Sequence, residues 1–263
     1  MSEASEVPTV GLPGDADLPM VGFGTWQITG PAVEAAVTAA LTAGYRHIDT
    51  ATIYGNEAEI GSALAASGVS REEIFITTKI PPDDIGKEEA VLRRSLRALR
   101  TDYVDLWLIH WPPRTQGQLR ELWNAVRELR DEGLTRAIGV SNYDLSQIDD
   151  LTDQTGETPA VNQIHWSPEI YDADVVVGHK ARGVALEGYS SLKSQSLNDP
   201  VIGGIAAAHG VSPAQVILRW QLEHGMTVIP KSVHPDRIAA NLDLFGFTLD
   251  RGEIAKIDAL GVS

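Results

Sequence analysis

Hydrophobic positions along this chain follow two periods, one typical of helices and one typical of strands. After Pro31, apolar residues recur three and four positions apart, which predicts an amphipathic helix that ends at Gly44. Residues 45–49 then show the alternation of a strand. Residues 56–66 return to the helical period, with Asn56 as the candidate cap. The first unit read in this way is therefore a strand followed by a helix.

The same unit recurs to the end of the chain. The predicted strands are residues 21–24, 45–49, 74–80, 103–110, 135–140, 160–165, 184–189 and 227–229. The predicted helices after the first two are residues 87–99, a segment around 119–129, then 144–153, 172–181, 212–222 and 235–241, with a last helix capped by Asp250 and Glu253 and a short segment at 200–208. Eight such units predict a (β/α)8 TIM barrel, with an open doubly wound sheet as the alternative.

Two further features concern the ends and the organisation of the chain. Residues 9–12 and 18–20, joined by a turn-forming segment at 13–17, predict a hairpin before the first barrel strand. The chain shows no break in composition and no linker, so we expect residues 1–263 to form a single domain. Residues 1–8 are acidic and lack the apolar core of a signal peptide.

Composition excludes several kinds of partner. With 21 Lys and Arg against 36 Asp and Glu, the formal net charge is −15, which argues against binding to nucleic acid or to an anionic membrane. There is no cysteine, so disulfides and thiolate metal sites are excluded, and no metal site is predicted. We expect a cytoplasmic protein that acts on a small molecule, and we favour a monomer over an oligomer.

Four side chains that can carry chemistry lie at or just past the ends of neighbouring predicted strands. They are Asp49, Tyr54, Lys79 and His110. Each alone has an ordinary structural interpretation, as a cap, a half-buried aromatic, a surface lysine or a core histidine. Together they fall at the carboxyl edge of a parallel barrel, where catalytic residues are found. Lys79 and His110 end apolar strands, and buried charges need partners, so Asp49 and Lys79 are a candidate ion pair.

Several longer motifs resemble one known family. The motifs are His-Ile-Asp-Thr-Ala-Thr-Ile-Tyr-Gly-Asn-Glu, Thr-Thr-Lys, Leu-Ile-His-Trp-Pro, Ile-Gly-Val-Ser-Asn and Ile-Pro-Lys-Ser. In this order they are similar to the aldo-keto reductase superfamily, and the bacterial diketogluconate reductase-like branch is the most similar. The resemblance covers essentially the whole chain, from the hairpin to the last helix.

The resemblance implies NADPH-dependent reduction of aldehydes and ketones. Tyr54 would be the general acid that protonates the carbonyl oxygen. Lys79 would lower the pKa of that phenol, and Asp49 would hold Lys79 in place. His110 would donate a hydrogen bond to the carbonyl and orient it.

The resemblance also implies which residues bind the cofactor NADPH/NADP+ and the substrate. The cofactor residues are Gly24, Thr25, Trp26, Asp49, Ser141, Asn142, Gln163, Tyr189, Ser190, Leu192, Ser194, Lys231, Ser232, Arg237 and Asn241. Among them, Tyr189 would stack on the nicotinamide, and Lys231 and Arg237 would contact the adenosine 2′-phosphate. The substrate pocket residues are Trp26, Ile53, Tyr54, His110 and Trp111. The fold gives independent support, because phosphates in this barrel favour the loops after strands seven and eight.

Two other functions stay open from the sequence. One is a non-catalytic NADP-binding barrel protein, against which the complete set of four candidate catalytic residues counts. The other is a barrel isomerase or aldolase in which Lys79 forms a Schiff base.

Overall fold

The computed structural model describes residues 7–261, and the predicted domain of residues 1–263 extends past these residues at both ends. The described strands are β1 (Thr9–Leu12), β2 (Ala16–Pro19), β3 (Phe23–Gly24), β4 (His47–Asp49), β5 (Phe75–Ile80), β6 (Val104–Ile109), β7 (Thr135–Ser141), β8 (Val161–His165), β9 (Ala185–Tyr189) and β10 (Thr227–Val228). The described helices are α1 (Pro31–Ala43), α2 (Glu57–Ala66), α3 (Glu88–Leu99), α4 (Gln116–Asp131), α5 (Leu145–Thr155), α6 (Ala173–Ala181), α7 (Pro200–His209), α8 (Pro213–Glu223), α9 (Pro235–Leu242) and α10 (Arg251–Asp258).

Strands β3 to β10 form a parallel sheet in chain order, and its two edges meet. Val21 bridges Val228 in parallel. The Gly22 amide donates to the Val228 carbonyl at 2.8 Å, and the Val228 amide donates to the Met20 carbonyl at 2.9 Å. The predicted (β/α)8 barrel with an N-terminal hairpin is therefore confirmed, and the open sheet is wrong.

The hairpin β1–β2 covers the N-terminal end of the barrel. Leu12 and Leu18 belong to one buried cluster with Phe75, Leu106 and Leu108 from the strands of the barrel. Because apolar side chains fill this end, polar chemistry is left to the opposite, carboxyl end of the strands.

Several predicted boundaries differ from the structure. Strand β2 begins at Ala16 rather than Leu18, and Val21 forms an isolated bridge outside β3. The short segment at 200–208 is a full helix of 10 residues, capped by Asp199, whose side chain accepts from the Val201 amide. Asn56 precedes α2 as expected, but its side chain does not cap that helix. The predicted capping pair of Asp250 and Glu253 is confirmed.

A helix that spans a membrane must be both long enough and apolar enough to cross it. Within residues 7–261, no single helix meets both requirements. Helices α7 and α8 meet them as a pair, but the pair is bent by 91° at its junction.

Close packing between α2 and α3 depends on a glycine. A Cβ built on Gly61 would overlap the Ala98 carbonyl oxygen and lie 2.8 Å from the Leu99 carbonyl carbon. Because both neighbours are backbone atoms, Gly61→Ala is expected to lower the free energy of unfolding by roughly 1–3 kcal/mol. The matched control is Gly203→Ala in α7, where the added Cβ meets nothing within 4 Å.

In Gly203→Ala the free energy of unfolding should rise by about 0.5–1 kcal/mol, since alanine is the better helix former. Urea unfolding at constant m-value measures both changes. Equal stability of the two variants would contradict the assigned contact between α2 and α3.

Candidate active site

A buried ion pair lies at the carboxyl end of the barrel. Asp49 ends β4 and is 2% exposed, and Lys79 on β5 is 0% exposed. The Lys79 ammonium donates to Asp49 Oδ1 at 2.8 Å, to Asp49 Oδ2 at 2.7 Å and to the Thr50 carbonyl at 2.8 Å. All three hydrogens of the ammonium are thus used. Burial lowers the pKa of Lys79, but Asp49 and Tyr54 outweigh it and the net pKa is raised, so Lys79 is a cation.

Tyr54 is held over this pair by a short helical turn. The turn Thr52–Tyr54 is closed by Gly55, which has a φ of 66°. The Thr52 hydroxyl donates to the Lys79 carbonyl at 3.0 Å, which ties the turn to β5. The Tyr54 ring centroid lies 5.3 Å from Lys79 Nζ and 5.9 Å from the His110 ring, which it meets edge to face. The four predicted catalytic side chains therefore converge at one rim.

The loop before α2 is fixed by Asn56, which is 1% exposed. Its amide donates to the carbonyls of Thr25 and Ile28 at 3.0 and 3.2 Å. Its Oδ1 accepts from the Thr50 hydroxyl at 2.9 Å. These bonds explain why Asn56 does not cap α2, and they join the loops that carry Trp26 and Tyr54.

The protonation states of the two groups at the rim follow from burial. Burial raises the pKa of Tyr54, and although Lys79 acts in the lowering direction expected from the sequence, the net shift is upward. Tyr54 is therefore a neutral phenol at neutral pH. Burial lowers the pKa of His110 to about 3, and Lys79 adds to this effect. His110 is therefore a neutral imidazole that can donate one hydrogen bond.

These groups lie on a cleft with a volume of about 360 Å³. All five predicted substrate-pocket residues line it. Trp26, Ile53 and Trp111 are 43%, 51% and 42% exposed, so the cleft offers apolar surface to a ligand. The Trp111 ring stacks on His110 at 3.8 Å, which fixes the plane of the imidazole.

Polar groups continue along the cleft from His110. Asn142, with a φ of 64°, donates from Nδ2 to the His110 carbonyl and to Ser141 Oγ, both at 3.0 Å. The Tyr189 hydroxyl donates to Asn142 Oδ1 at 2.7 Å. Gln163 Nε2 donates to Asp49 Oδ2 at 2.8 Å. The amides of Asn142 and Gln163 and the ring of Tyr189 thus lie on one wall beside the ion pair.

Two neighbouring ammonium groups, those of Lys193 and Lys231, also line the cleft. Lys193 donates to Gln27 Oε1 at 2.9 Å and lies 3.8 Å from the centre of the Trp26 ring. Partial burial and the nearby Lys231 lower the pKa of Lys193. Within residues 7–261, neither ammonium forms an ion pair with a carboxylate. The part of the cleft beside these two lysines is therefore suited to an anion.

Most predicted cofactor residues line the cleft: Gly24, Trp26, Asp49, Ser141, Asn142, Gln163, Tyr189, Ser190, Leu192 and Lys231. Five others lie outside its lining. Thr25 is buried and donates to the Asp49 carbonyl at 2.9 Å, and Ser194 lines an adjacent groove of about 420 Å³. Ser232 is buried with Oγ accepting from the His234 amide at 3.1 Å, and on α9 Arg237 is exposed and Asn241 is buried.

Sequence reasoning missed two residues of this region. Lys193 lies between Leu192 and Ser194, both of which were predicted. The available signal was a cation in the loop after β9, the seventh strand of the barrel, in an otherwise acidic chain. Glu187 on β9 was also missed, because a lone glutamate in an apolar strand has no motif and its partners lie far away in the sequence.

A parallel barrel with this rim defines the class of protein, and comparison with known proteins agrees. The model of the aldo/keto reductase family matches residues 20–262. The chain therefore belongs to the aldo/keto reductase family, a family of oxidoreductases. Assignment to the diketogluconate reductase-like branch stays a prediction.

Individual relatives are similar along almost their whole length. An aldo-keto reductase of Mycolicibacterium vanbaalenii is 44% identical over 263 residues, covering 99% of this chain and 94% of the relative. The crystal structure of an aldo/keto reductase from Brucella melitensis has a TM-score of 0.93 at 42% identity, covering 97% of this chain and 100% of that one. A Bombyx mori aldo-keto reductase in complex with NADP has a TM-score of 0.90 at 34% identity, covering 98% of this chain and 94% of that one.

Proposed function

We propose that this protein reduces aldehydes and ketones to alcohols with NADPH, with Tyr54 as the general acid. The observation that carries the proposal is the Asp49–Lys79 ion pair buried beneath Tyr54 and beside His110. A buried cation next to a neutral phenol stabilises the tyrosinate that forms when the phenol gives up its proton.

When bound, NADPH supplies the hydride that reaches the carbonyl carbon. Negative charge then develops on the carbonyl oxygen, and Tyr54 gives that oxygen its proton. His110, which is neutral, donates a hydrogen bond to the same oxygen and orients it. Asp49 accepts from two of the three hydrogens of the Lys79 ammonium and so fixes the cation beneath the phenol.

The chemistry of the cleft fits a phosphorylated dinucleotide. Asn142 and Gln163 supply amides on the wall near Tyr54, and Tyr189 supplies a half-buried ring. Lys193 and Lys231 supply positive charge to the same cleft, in a chain of net charge −15. Lys193 would hold the phosphates near the loop after β9, and Lys231, Ser232 and Arg237 would hold the 2′-phosphate. The Bombyx mori relative in complex with NADP supports this choice of cofactor.

The Schiff-base alternative fits the site poorly. A nucleophilic amine must be neutral and reachable, whereas Lys79 is 0% exposed and donates three hydrogen bonds. A non-catalytic NADP-binding protein would bind NADPH without oxidising it. The decisive assay follows NADPH absorbance with a panel of aldehydes, α-dicarbonyls and keto sugars. Oxidation of NADPH with formation of the alcohol supports the proposal, and binding without turnover across the panel would refute it.

Preference for NADPH over NADH gives a sharper test of the phosphate end. Arg237 is exposed on α9 and follows Lys231 and Ser232. Hydrogen bonds to charged groups are worth roughly 1.5–3 kcal/mol, so Arg237→Ala should weaken NADPH binding by about 10-fold or more. NADH binding should change little. The matched control is Arg120→Ala, an exposed arginine on α4.

Fluorescence titration of each variant with both cofactors measures these constants. Equal dissociation constants for NADPH and NADH in the unmodified protein would contradict the assignment of the 2′-phosphate site.

Cytoplasmic location and a monomeric state stay predictions from the sequence.

A further inference from the structure

A second polar layer lies inside the barrel, directly beneath the Asp49–Lys79 pair. It consists of His47, Thr77 and Glu187, none of which is exposed to solvent. His47 and Thr77 precede Asp49 and Lys79 by two residues, so each pair lies on the same, inward face of its strand. Buried polar side chains are costly unless they are paired, so this layer requires an explanation.

Glu187 is connected to the ion pair through one amide. Gln163 Nε2 donates to Asp49 Oδ2 at 2.8 Å and also to Glu187 Oε1. An amide nitrogen has two hydrogens, so both are used on carboxyl groups. Any change in charge or position at Glu187 therefore acts on Asp49, and Asp49 holds Lys79.

The charged groups around Glu187 already neutralise one another without a charge on Glu187 itself. On β4 these are Asp49 and His47, and on β5 Lys79; the flanking strands β8 and β10 contribute the uncharged Gln163 and Thr227. Asp49 and Lys79 neutralise each other. Burial lowers the pKa of His47 to about 3, so this imidazole is neutral. If Glu187 were ionised, the Gln163 amide would donate to two carboxylates. The carboxylate of Glu187 would then be fully buried without a cation of its own.

We propose that Glu187 is a positioning residue that carries a proton at neutral pH and, through Gln163, holds Asp49 and Lys79 beneath Tyr54. Its Oε1 accepts the Gln163 hydrogen bond. The proton lies on Oε2, which has no hydrogen-bond partner within residues 7–261 and is 4.0 Å from His47 Nε2. The positioning role rests on the proposed function, whereas the protonated state of Glu187 does not.

The proposal has a defined pH dependence. Burial, with a further contribution from Asp49, raises the pKa of Glu187 from 4.5 to about 8. The stabilisation that comes from holding this proton is therefore complete below pH 4.5 and is lost as the pH rises to about 8. Above that pH, Gln163 bridges two carboxylates that repel each other, and the support of Lys79 weakens.

Infrared difference spectroscopy tests the protonated state on the whole protein without cofactor. Glu187→Gln keeps the shape of the neutral acid and removes its carbonyl band. At pH 7 the unmodified protein is expected to show a protonated-carboxyl band that Glu187→Gln lacks, and titration should remove that band with a midpoint near pH 8. Identical carboxyl regions in the two proteins at pH 7 would overturn the proposal, since Glu187 would then be ionised.

Steady-state kinetics tests the positioning role. Glu187→Ala removes the acceptor for Gln163 and is expected to lower kcat by up to about 100-fold, with a smaller change in KM. Glu187→Gln keeps that acceptor and should restore most of the lost turnover at pH 7. Equal kcat in Glu187→Ala and the unmodified protein would overturn the positioning role. Absence of carbonyl reduction in every protein would refute the proposed function, while the infrared result would still decide where the proton lies.

Discussion

Tyr54→Phe is expected to lower kcat for carbonyl reduction by about 10²–10⁴-fold, the usual contribution of a general acid. The change keeps the ring, so the contacts with Lys79 and His110 remain. It removes the hydroxyl, and with it the proton that the carbonyl oxygen would receive. NADPH binding, measured by fluorescence, should be retained, because the hydroxyl is assigned to the substrate and not to the cofactor.

The matched control for this change is Tyr103→Phe at the opposite end of the barrel. Tyr103 precedes β6, and its hydroxyl accepts from Arg136 Nη2 at 2.8 Å. Its loss should leave turnover unchanged. If chemistry limits the rate and Tyr54→Phe still has a kcat close to that of the unmodified protein, another group protonates the carbonyl oxygen.

Lys79→Met is expected to have the largest effect on stability. Lys79 and Asp49 are both buried, so removal of the ammonium leaves a carboxylate without its cation. Breaking one partner of a buried pair costs about 3–5 kcal/mol. Turnover should also be lost, because the tyrosinate of Tyr54 would lack its stabilising charge.

Lys87→Met separates the effect of the buried pair from the loss of a lysine in general. Lys87 pairs with Asp84 at 3.5 Å, and its side chain is 66% exposed. Exposed pairs contribute about 0–1 kcal/mol, so this control should remain close to the unmodified protein. Chemical denaturation measures both variants. If Lys79→Met lowered the free energy of unfolding no more than Lys87→Met does, the assignment of the buried pair would be contradicted.

The helix α7 illustrates where periodicity fails as a guide to local structure. Two glycines, Gly203 and Gly204, lie within it and lower its intrinsic helical tendency. The local signals were Asp199 as the cap and Pro200 in the first turn. Packing against α8, which buries Ile202 in a shared cluster, then stabilises a helix that propensity alone does not favour.

The sequence by itself determined the order of strands and helices and the edge at which the site lies, whereas the bridge between Val21 and Val228 decided that the sheet closes. Period-two and period-3.6 segments alternate, and parallel strands bring their carboxyl ends to one rim, so Asp49, Lys79 and His110 could be placed together without coordinates. Tertiary structure alone decided the pairings across the barrel. Asp49 and Gln163 are 114 residues apart, and Lys193 and Gln27 are 166 residues apart. Burial, which no local pattern measures, decided that the pKa of Tyr54 is raised despite its neighbouring cation.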